Sequence, residues 1–206
     1  MYPVFFDDPR HIGNQFSFMT MSEPRNRIVL ENFATQIQFL EKYVLNEIKE
    51  DPNSIEALNA VREHCVVGNG GNFTPYHLKI FRMIGDIVDK RGADLFRTNE
   101  DEGQVTKQPY FLVKDDQVSK SISFDIIVER KSVLQDIEDL PSAIASYVHI
   151  AFILNMKYPK TAETLCDILQ RKFARFGSEE GTRTNKSAKS AMKGIDQFYR
   201  KLGSLL

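Results

Sequence analysis

The spacing of apolar residues predicts a long amphipathic helix early in the chain. Between residues 25 and 50 the apolar positions recur every three or four residues and form one stripe, while charged residues occupy the other faces. The stripe consists of Leu30, Phe33, Ile37, Leu40, Val44 and Ile48. Pro52 in "EDPNS" ends the helix, because a proline disfavours helical backbone at the residue before it.

Two further helices are predicted before residue 100. The first is short and extends from Ile55 to Cys65. The second follows the loop "VVGNGGNF", with Thr74 as its N-cap and Pro75 as its first helical residue, and it ends near Gly92.

The segment before these helices is rich in aromatic residues and has no regular period. Its aromatic side chains stand among proline, glycine and aspartate: Tyr2, Phe5, Phe6, Phe16 and Phe18. Because exposed apolar patches are uncommon on monomers, we expect residues 1–23 to be irregular and to pack onto the rest of the protein.

After about residue 108 the period changes to that of strands. "PYFLVK" and "SISFDIIVE" are short and rich in β-branched and aromatic residues, and the polar "DDQVSK" separates them. This pattern predicts an antiparallel β-hairpin. "DLPSAIASYVHIAFILN" is apolar nearly all round and predicts a buried helix. We also expect helices that begin at Pro159 and near Ala188.

These elements predict an α+β fold that is predominantly α-helical, with about six helices and one small antiparallel β-hairpin. The polar "RTNEDEGQVTKQ" separates a helical front half with the aromatic N-terminal segment, residues 1–100, from residues 101–206, which hold the hairpin, helices and a basic C-terminal tail. The chain has 206 residues, 42% of them hydrophobic, which is enough for one core. We therefore expect one compact domain.

Charge is distributed unevenly along the chain. Residues 171–206 contain nine Lys or Arg and three Asp or Glu, a balance of +6, whereas residues 1–170 have 18 bases and 25 acids, a balance of −7. A basic end on an acidic body is typical of proteins that bind nucleic acid or an acidic partner, and equally of a tail that lies on its own body. The candidate nucleic-acid-binding residues are Arg171, Lys172, Arg175, Arg183, Lys186, Lys189 and Lys193.

Cysteine usage and hydropathy indicate the compartment. Cys65 and Cys166 are about one hundred residues apart, so we interpret them as reduced thiols of an intracellular protein in the nucleus or cytoplasm. The segment "MYPVFFDDPR" does not resemble a signal peptide. No uninterrupted apolar run reaches about 18 residues, so we expect no membrane partner.

The segment "VKDDQVSKSISFDIIVERKS" contains the one pattern that suggests catalysis. Restriction-type nucleases carry an Asp on one strand and Glu-x-Lys on the next; the two carboxylates hold Mg²⁺ and the Lys helps to activate water. Asp116, Glu129 and Lys131 match this order, although the spacing departs from that of the similar Glu-Arg-Lys flap endonucleases. The alternative interpretation is a solvated strand end that enters a turn.

Other motifs give no complete site. His64, Cys65 and His77 lack the paired spacing of four zinc ligands, so no metal site is predicted apart from Mg²⁺ in the nuclease alternative. "GNGGN" lacks the Gly-Lys-Ser/Thr ending of a phosphate-binding loop. No other cofactor is expected, and His149 is interpreted as a core histidine.

The segment "FILNMKYPKTAETLCDILQRKF", with the hairpin ahead of it, carries a resemblance. Its order is a buried helix that ends at an Asn, then Tyr-Pro, then an amphipathic helix that closes on an apolar-Gln pair; the matching residues are Asn155, Tyr158, Pro159, Leu165, Leu169 and Gln170. Residues 105–206 thus resemble the C-terminal region of a group of uncharacterised animal proteins, many of them associated with mobile elements. The resemblance implies a shared module and brings no activity with it.

Two functional hypotheses follow from the sequence. The first is a non-enzymatic intracellular interaction domain that binds protein or nucleic acid, with a contribution from the basic tail. The second is a Mg²⁺-dependent restriction-type nuclease that uses Asp116, Glu129 and Lys131. The two hypotheses differ in one geometric requirement, because only the nuclease needs these three side chains to converge.

Overall fold

The structure is a computed structural model that describes residues 9–20, 25–67, 72–98, 108–116, 121–176, 198–201 and 203. The helices of the first half are α1 (Pro9–Thr20), α2 (Arg25–Glu47), α3 (Pro52–Val67) and α4 (Thr74–Asp89). A 3-10 turn leads to strands β1 (Phe96–Thr98), β2 (Tyr110–Asp116), β3 (Ser121–Val128) and β4 (Lys131–Ile137). Helices α5 (Leu140–Ile153) and α6 (Glu163–Ile168) follow, and a π-helical turn (Leu169–Phe173) continues α6. The described protein is α+β and mostly helical, as the sequence predicts.

The sheet is larger than the predicted hairpin. Its strand order is β1-β2-β3-β4; β1 is parallel to β2, and the other neighbours are antiparallel. The prediction of one small antiparallel hairpin was therefore wrong in extent. Strand β1 has three residues, too few to show a period, and it comes from the front half of the chain. Its pairing with β2 joins the two predicted halves in one sheet.

Strand β4 was not predicted from the sequence, because its side chains do not alternate regularly between the two faces of the sheet. Between the pairs Val128↔Lys131 and Phe124↔Ile137, β3 advances by four residues and β4 by six, so β4 contains two bulged positions. Val133 is buried in the core cluster although it is the extra residue of one bulge. The apolar residues of β4 therefore do not recur at every second position, as they would in a regular strand.

Helix α5 is buried along most of its length, as its composition predicts. Its N-terminus is capped by Asp139, whose Oδ1 accepts a hydrogen bond of 2.7 Å from the Ser142 backbone N–H. Helices α1 and α2, the sheet and the π-helical turn all contact α5. His149 is fully buried, with its ring centroid 4.4 Å from that of Phe16. The front and back halves thus share one hydrophobic cluster.

The first segment is helical where it is described, so the prediction of an irregular segment was wrong for residues 9–20. Ile12 and Phe16 of α1 are buried, and Phe16 packs against Phe152 of α5. The expected packing onto the body is therefore seen for these two side chains. Tyr2, Phe5, Phe6 and the side chain of Phe18 lie outside the described residues.

The long helix α2 buries a stripe shifted from the predicted one. Leu30 is 56% exposed, and the neighbouring Val29 is buried in its place. Tyr43 is also buried, beside Val44. Consecutive residues such as these are only about 100° apart around a helix, so the apolar spacing alone leaves the edge of the stripe ambiguous.

Pro52 was predicted to end a helix, but it is also the first residue of the next helix, α3. The Asp51 carboxylate accepts hydrogen bonds from the backbone N–H groups of Asn53 and Ser54, at 3.2 and 3.3 Å. The dipeptide Asp51-Pro52 is therefore an N-cap followed by a first-turn proline, and α3 starts three residues earlier than the predicted Ile55.

Helix α4 ends by a close approach of two glycines. The helix stops at Asp89, short of the predicted Gly92, and Lys90 adopts a left-handed φ of 62°. The chain then turns back so closely that a Cβ on Gly85 would lie 2.5 Å from the carbonyl carbon of Gly92. Only glycines permit this contact, which directs the chain into β1.

Asn155 ends helix α5 in a left-handed conformation, with φ of 48°. Its N–H donates to the Phe152 carbonyl oxygen at 3.0 Å, and the Met156 N–H donates to that of Ala151 at 2.8 Å, which is the pattern of a Schellman motif. The predicted helix start at Pro159 was wrong. Pro159 belongs to a turn that precedes α6.

Tyr158 is buried between α5 and the π-helical turn. Its ring stacks 6.4 Å from that of Tyr147, and its hydroxyl donates a hydrogen bond of 2.5 Å to Gln170 Oε1. Gln170 Nε2 in turn donates to the Phe176 carbonyl oxygen at 3.0 Å. The Tyr-Pro joint and the Gln of the resemblance are thus linked by a direct side-chain contact.

No helix within the described parts of the chain is long and apolar enough to cross a membrane. Of the predicted last helix, from Ala188 to Leu202, only a few residues are described, and Phe198 to Lys201 among them are helical.

The turn between β3 and β4 offers a test of the fold. Glu129 and Arg130 have φ values of 49° and 69°, which Asn-Gly adopts at lower cost in a two-residue turn. We expect the double variant Glu129→Asn, Arg130→Gly to raise the free energy of unfolding by about 1 kcal/mol, measured by urea denaturation. Lys131→Gly, in the adjoining strand, should lower it; an equal effect of both changes would contradict this turn geometry.

The hydrogen bond between Tyr158 and Gln170 offers a second test. Tyr158→Phe leaves the buried Gln170 oxygen without its hydroxyl donor, so we expect the free energy of unfolding to fall by about 1–3 kcal/mol. Thermal and urea denaturation measure this loss. Tyr110→Phe, on the half-exposed face of the sheet, is the matched control, and a similar loss in both variants would argue against the hydrogen bond.

Candidate functional site

Asp116 and Glu129 lie at opposite ends of the hairpin formed by β2 and β3. Asp116 pairs with Ser121 at one end of β3, whereas Glu129 follows Val128 at the other end. The eight residues of β3, at about 3.3 Å each, separate the two backbone positions by roughly 25 Å. Two carboxylates that share a Mg²⁺ each place an oxygen about 2.1 Å from the metal. The structure does not bring the proposed nuclease residues together.

Glu129 and Lys131 flank the tip of the next hairpin. Glu129 and Arg130 are the two central residues of the turn, since Val128 pairs with Lys131. Glu129, Arg130 and Lys131 are exposed. The Glu-Arg-Lys segment therefore presents its charges at the end of the sheet, and its sequence reflects a turn between strands.

The sheet assembles a different cluster, with one residue from each of β2, β3 and β4. Lys114 Nζ lies 2.8 Å from Asp125 Oδ1 and 3.0 Å from Asp136 Oδ1. The buried Asp125 also accepts a hydrogen bond of 2.9 Å from the Asp136 backbone N–H, at a bulge where the φ of Asp136 is 52°. This contact stabilises the bulge. The cluster could not be predicted from the sequence, because β4 was not among the predicted strands.

The electrostatics of Lys114 fit this structural role. Burial by itself lowers the pKa of Lys114, but the hydrogen bonds to Asp125 and Asp136, together with the charges of these carboxylates, raise the pKa above its ordinary value. Lys114 therefore stays protonated at neutral pH and cannot act as a general base.

A partly buried carboxylate joins α4 to α6. Asp89, at the end of α4, accepts hydrogen bonds from the backbone N–H groups of Thr164 (3.1 Å) and Leu165 (2.8 Å), in the first turn of α6. Burial raises the pKa of Asp89 above its ordinary value of 3.8, although these hydrogen bonds act in the opposite direction. Asp89 is thus an N-cap supplied from a distant part of the chain, a role that local sequence does not reveal.

The first residues of the basic tail contact the body of the protein. Arg171 Nε lies 2.9 Å from Oδ1 of Asp167, whose side chain is fully buried. Lys172 Nζ lies 4.6 Å from the ring centroid of Tyr199. Arg175 is exposed and has a φ of 48° after the π-helical turn. Arg183, Lys186, Lys189 and Lys193 lie outside the described residues.

The tail returns to the body at its far end. Phe198 is buried with its ring centroid 4.8 Å from that of Tyr43 on α2, and Lys201 Nζ lies 2.9 and 3.0 Å from the two carboxylate oxygens of Glu47. Burial, and then the charge of Glu47, raise the pKa of Tyr43 to about 12, so its hydroxyl stays neutral. The segment after residue 170 is therefore anchored at two places.

The remaining candidate ligands do not form a metal centre where the structure describes them. Among the described residues, no group of three or more His, Cys, Asp or Glu side chains lies close enough to hold a metal ion. Cys65 and Cys166 are free, buried thiols, and burial raises the pKa of Cys166 well above its ordinary value. His77 lies against Phe33, at 5.3 Å between ring centroids, and burial lowers its pKa.

No protein-family model matches the chain, and no curated protein or solved structure is similar enough to count as a match. The resemblance of residues 105–206 therefore stays a prediction.

Asp89 predicts a measurable pH dependence of stability. Because its pKa is higher in the folded protein than the unfolded value near 3.8, the folded state binds more protons between the two pKa values. The free energy of unfolding should therefore contain a contribution that is present below pH 3.8 and is lost as the pH rises through the folded-state pKa. We expect Asp89→Asn to flatten the decline of the free energy of unfolding between pH 3.8 and the folded-state pKa of Asp89. Urea denaturation at a series of pH values measures this decline.

Asp167 contributes a slope of the same sign, because burial raises its pKa despite the charge of Arg171. Some decline should therefore persist in Asp89→Asn and disappear in Asp89→Asn, Asp167→Asn. Glu138→Gln, at an exposed position, is the control for the loss of one carboxylate. An Asp89→Asn protein with the wild-type slope would contradict this assignment.

Proposed function

We propose that this chain is a non-enzymatic intracellular interaction domain that binds nucleic acid or an acidic protein through its basic C-terminal segment. The observation that carries the proposal is the separation of charge, +6 in residues 171–206 against −7 in residues 1–170. Such a separation raises the local concentration of polyanions around the basic end and disfavours their contact with the body.

The basic segment contains a continuous stretch suited to phosphate contacts. Residues 181–194 include four bases and no acid: Arg183, Lys186, Lys189 and Lys193. Each base that neutralises a phosphate releases counterions and adds affinity without reading sequence. These four residues lie outside the described parts of the chain, so their role in the proposal rests on the sequence.

The bases of the tail that the structure describes contribute less to the proposed binding than the continuous stretch does. Arg171 is paired with Asp167 and Lys172 lies over Tyr199, so a phosphate would have to compete with an existing contact at both positions. Arg175 is exposed and precedes the continuous basic stretch in the sequence. We therefore assign the larger part of the binding to Arg175 and the four bases after it.

The polar groups of the body support the non-enzymatic half of the proposal. The carboxylates of Asp89 and Asp125 accept hydrogen bonds from backbone N–H groups, and that of Asp167 pairs with Arg171. These contacts fix a helix start, a bulge and the beginning of the basic segment. Asp125 and Asp167 are buried and Asp89 is partly buried, and each of the three carboxylates makes a structural contact.

Binding to labelled single-stranded and double-stranded oligonucleotides tests the proposal. We expect affinity that falls with salt, and the variant Lys186→Gln, Lys189→Gln, Lys193→Gln should lower the affinity by about a hundredfold near 0.1 M salt and make the salt slope shallower by about two to three. The matched control removes three exposed lysines of the body: Lys90→Gln, Lys157→Gln, Lys160→Gln.

Four outcomes separate the versions of the proposal. Loss in the tail variant but not in the control supports nucleic-acid binding through the tail. Equal losses would show that total charge alone is responsible and would contradict the assigned residues. If wild-type protein binds no oligonucleotide but binds poly-glutamate with the same dependence on Lys186, Lys189 and Lys193, the acidic-protein version holds; binding to neither polymer contradicts both.

A further inference from the structure

We propose that His77 makes the junction between α2 and the first turn of α4 sensitive to pH: protonation of its imidazole loosens the contacts of this turn with α2. This conformational device is independent of the proposed function. Its parts are the aromatic side chains around the imidazole and the carboxylate of Glu41 on α2.

The imidazole ring of His77 lies among aromatic rings from both sides of the junction. Its centroid is 5.3 Å from that of Phe33 on α2, in an edge-to-face contact, and 6.2 Å from that of Phe73, with which it is stacked. The backbone N–H of His77 also donates a hydrogen bond of 2.9 Å to the Phe73 carbonyl oxygen, at the start of α4. The same residue therefore closes the first turn of α4 and packs this turn against α2.

These surroundings suit a neutral imidazole better than an imidazolium. His77 is partly buried, and burial lowers its pKa below the ordinary value of 6.5. A charge that is removed from water costs free energy unless polar groups replace the water. The phenyl rings of Phe33 and Phe73 offer no hydrogen-bond acceptor of that kind to the N–H groups of an imidazolium.

The carboxylate of Glu41 would stabilise a charged His77, but it is already engaged. Its Oε1 accepts a hydrogen bond of 2.6 Å from the Tyr76 hydroxyl and lies 3.5 Å from Arg62 Nη1. Its charge acts to raise the pKa of His77, although burial has the larger effect. The charged and titratable groups that these contacts bring to the junction are Glu41 on α2, Arg62 and Cys65 on α3, and Tyr76 on α4.

The direction of the pH dependence follows from the lowered pKa of His77. When the turn leaves α2, the imidazole regains water and its pKa returns toward 6.5, so the loosened state binds the proton more strongly than the packed state does. The packed state is therefore most favoured above pH 6.5, and its advantage falls as the pH decreases from 6.5 to the folded-state pKa. Because one proton is involved, the equilibrium constant for loosening rises by at most about tenfold for each pH unit in this range.

The test follows the junction in the full-length protein by NMR between about pH 7.5 and pH 5, the range in which histidine titrates. The chemical shift of the imidazole Cε1–H gives the pKa of His77, and protection factors for the amides of residues 77–79 report the loosening. His77→Phe keeps an aromatic ring that cannot be protonated. His64→Gln, at an exposed position of α3, is the matched control for the loss of a histidine.

We expect a pKa below 6.5 for His77, with wild-type protection factors that fall below pH 6.5 by at most about tenfold per pH unit. His64→Gln should behave as wild type does, whereas His77→Phe should lose this part of the pH dependence. Glu41→Gln removes the charge that favours the imidazolium, so it should lower the pKa of His77 further.

A pKa of His77 at or above 6.5 would overturn the proposal, and so would equal declines of the protection factors in wild type and His77→Phe. Because His77→Phe could fail to fold, the wild-type titration and Glu41→Gln provide independent measurements. A pKa of His77 that is unchanged or raised in Glu41→Gln would contradict the assigned arrangement of charges.

Discussion

The structure depends on the burial of α5, a helix that is apolar on nearly every face. A helix of this kind has to be covered all round, because each exposed apolar side chain would cost about 1.5–3 kcal/mol. Helices α1 and α2 cover it from the front half of the chain, and the sheet and the π-helical turn cover it from the back half. This requirement explains why the described residues of both halves of the chain contribute to one hydrophobic cluster around α5.

Buried and partly buried polar groups then determine how the covering elements are joined. Asp89 of α4 caps α6, which follows it by more than seventy residues, and Tyr158 reaches Gln170 across the joint between α5 and the π-helical turn. Such groups contribute little net stability when paired and cost much when unpaired, so they select one arrangement among several apolar packings. Here they position the π-helical turn, from which the basic segment departs.

The candidate sites show that residues can match a motif in the sequence without having the geometry of that motif in the structure. Glu129 and Lys131 match a nuclease pattern by order in the sequence, yet the strand register places Glu129 about the length of β3 away from Asp116. For the tail, the structure adds what the sequence leaves open. Its excess of bases fits a polyanion-binding extension and equally a tail that lies on its own body, and Phe198 and Lys201 are seen in contact with α2.

The sequence by itself determined the α+β class, the buried helix α5, most of α2 and α4, and the separation of charge. These features depend on local period and composition, which a single chain displays directly. Only the tertiary structure decided that β1 joins the sheet, that β4 is a bulged strand, that Val29 and not Leu30 faces the core, and that Asp89 caps α6. The physical reason is common to these cases. Each depends on which distant surface meets the residue, and neither spacing nor propensity contains that information.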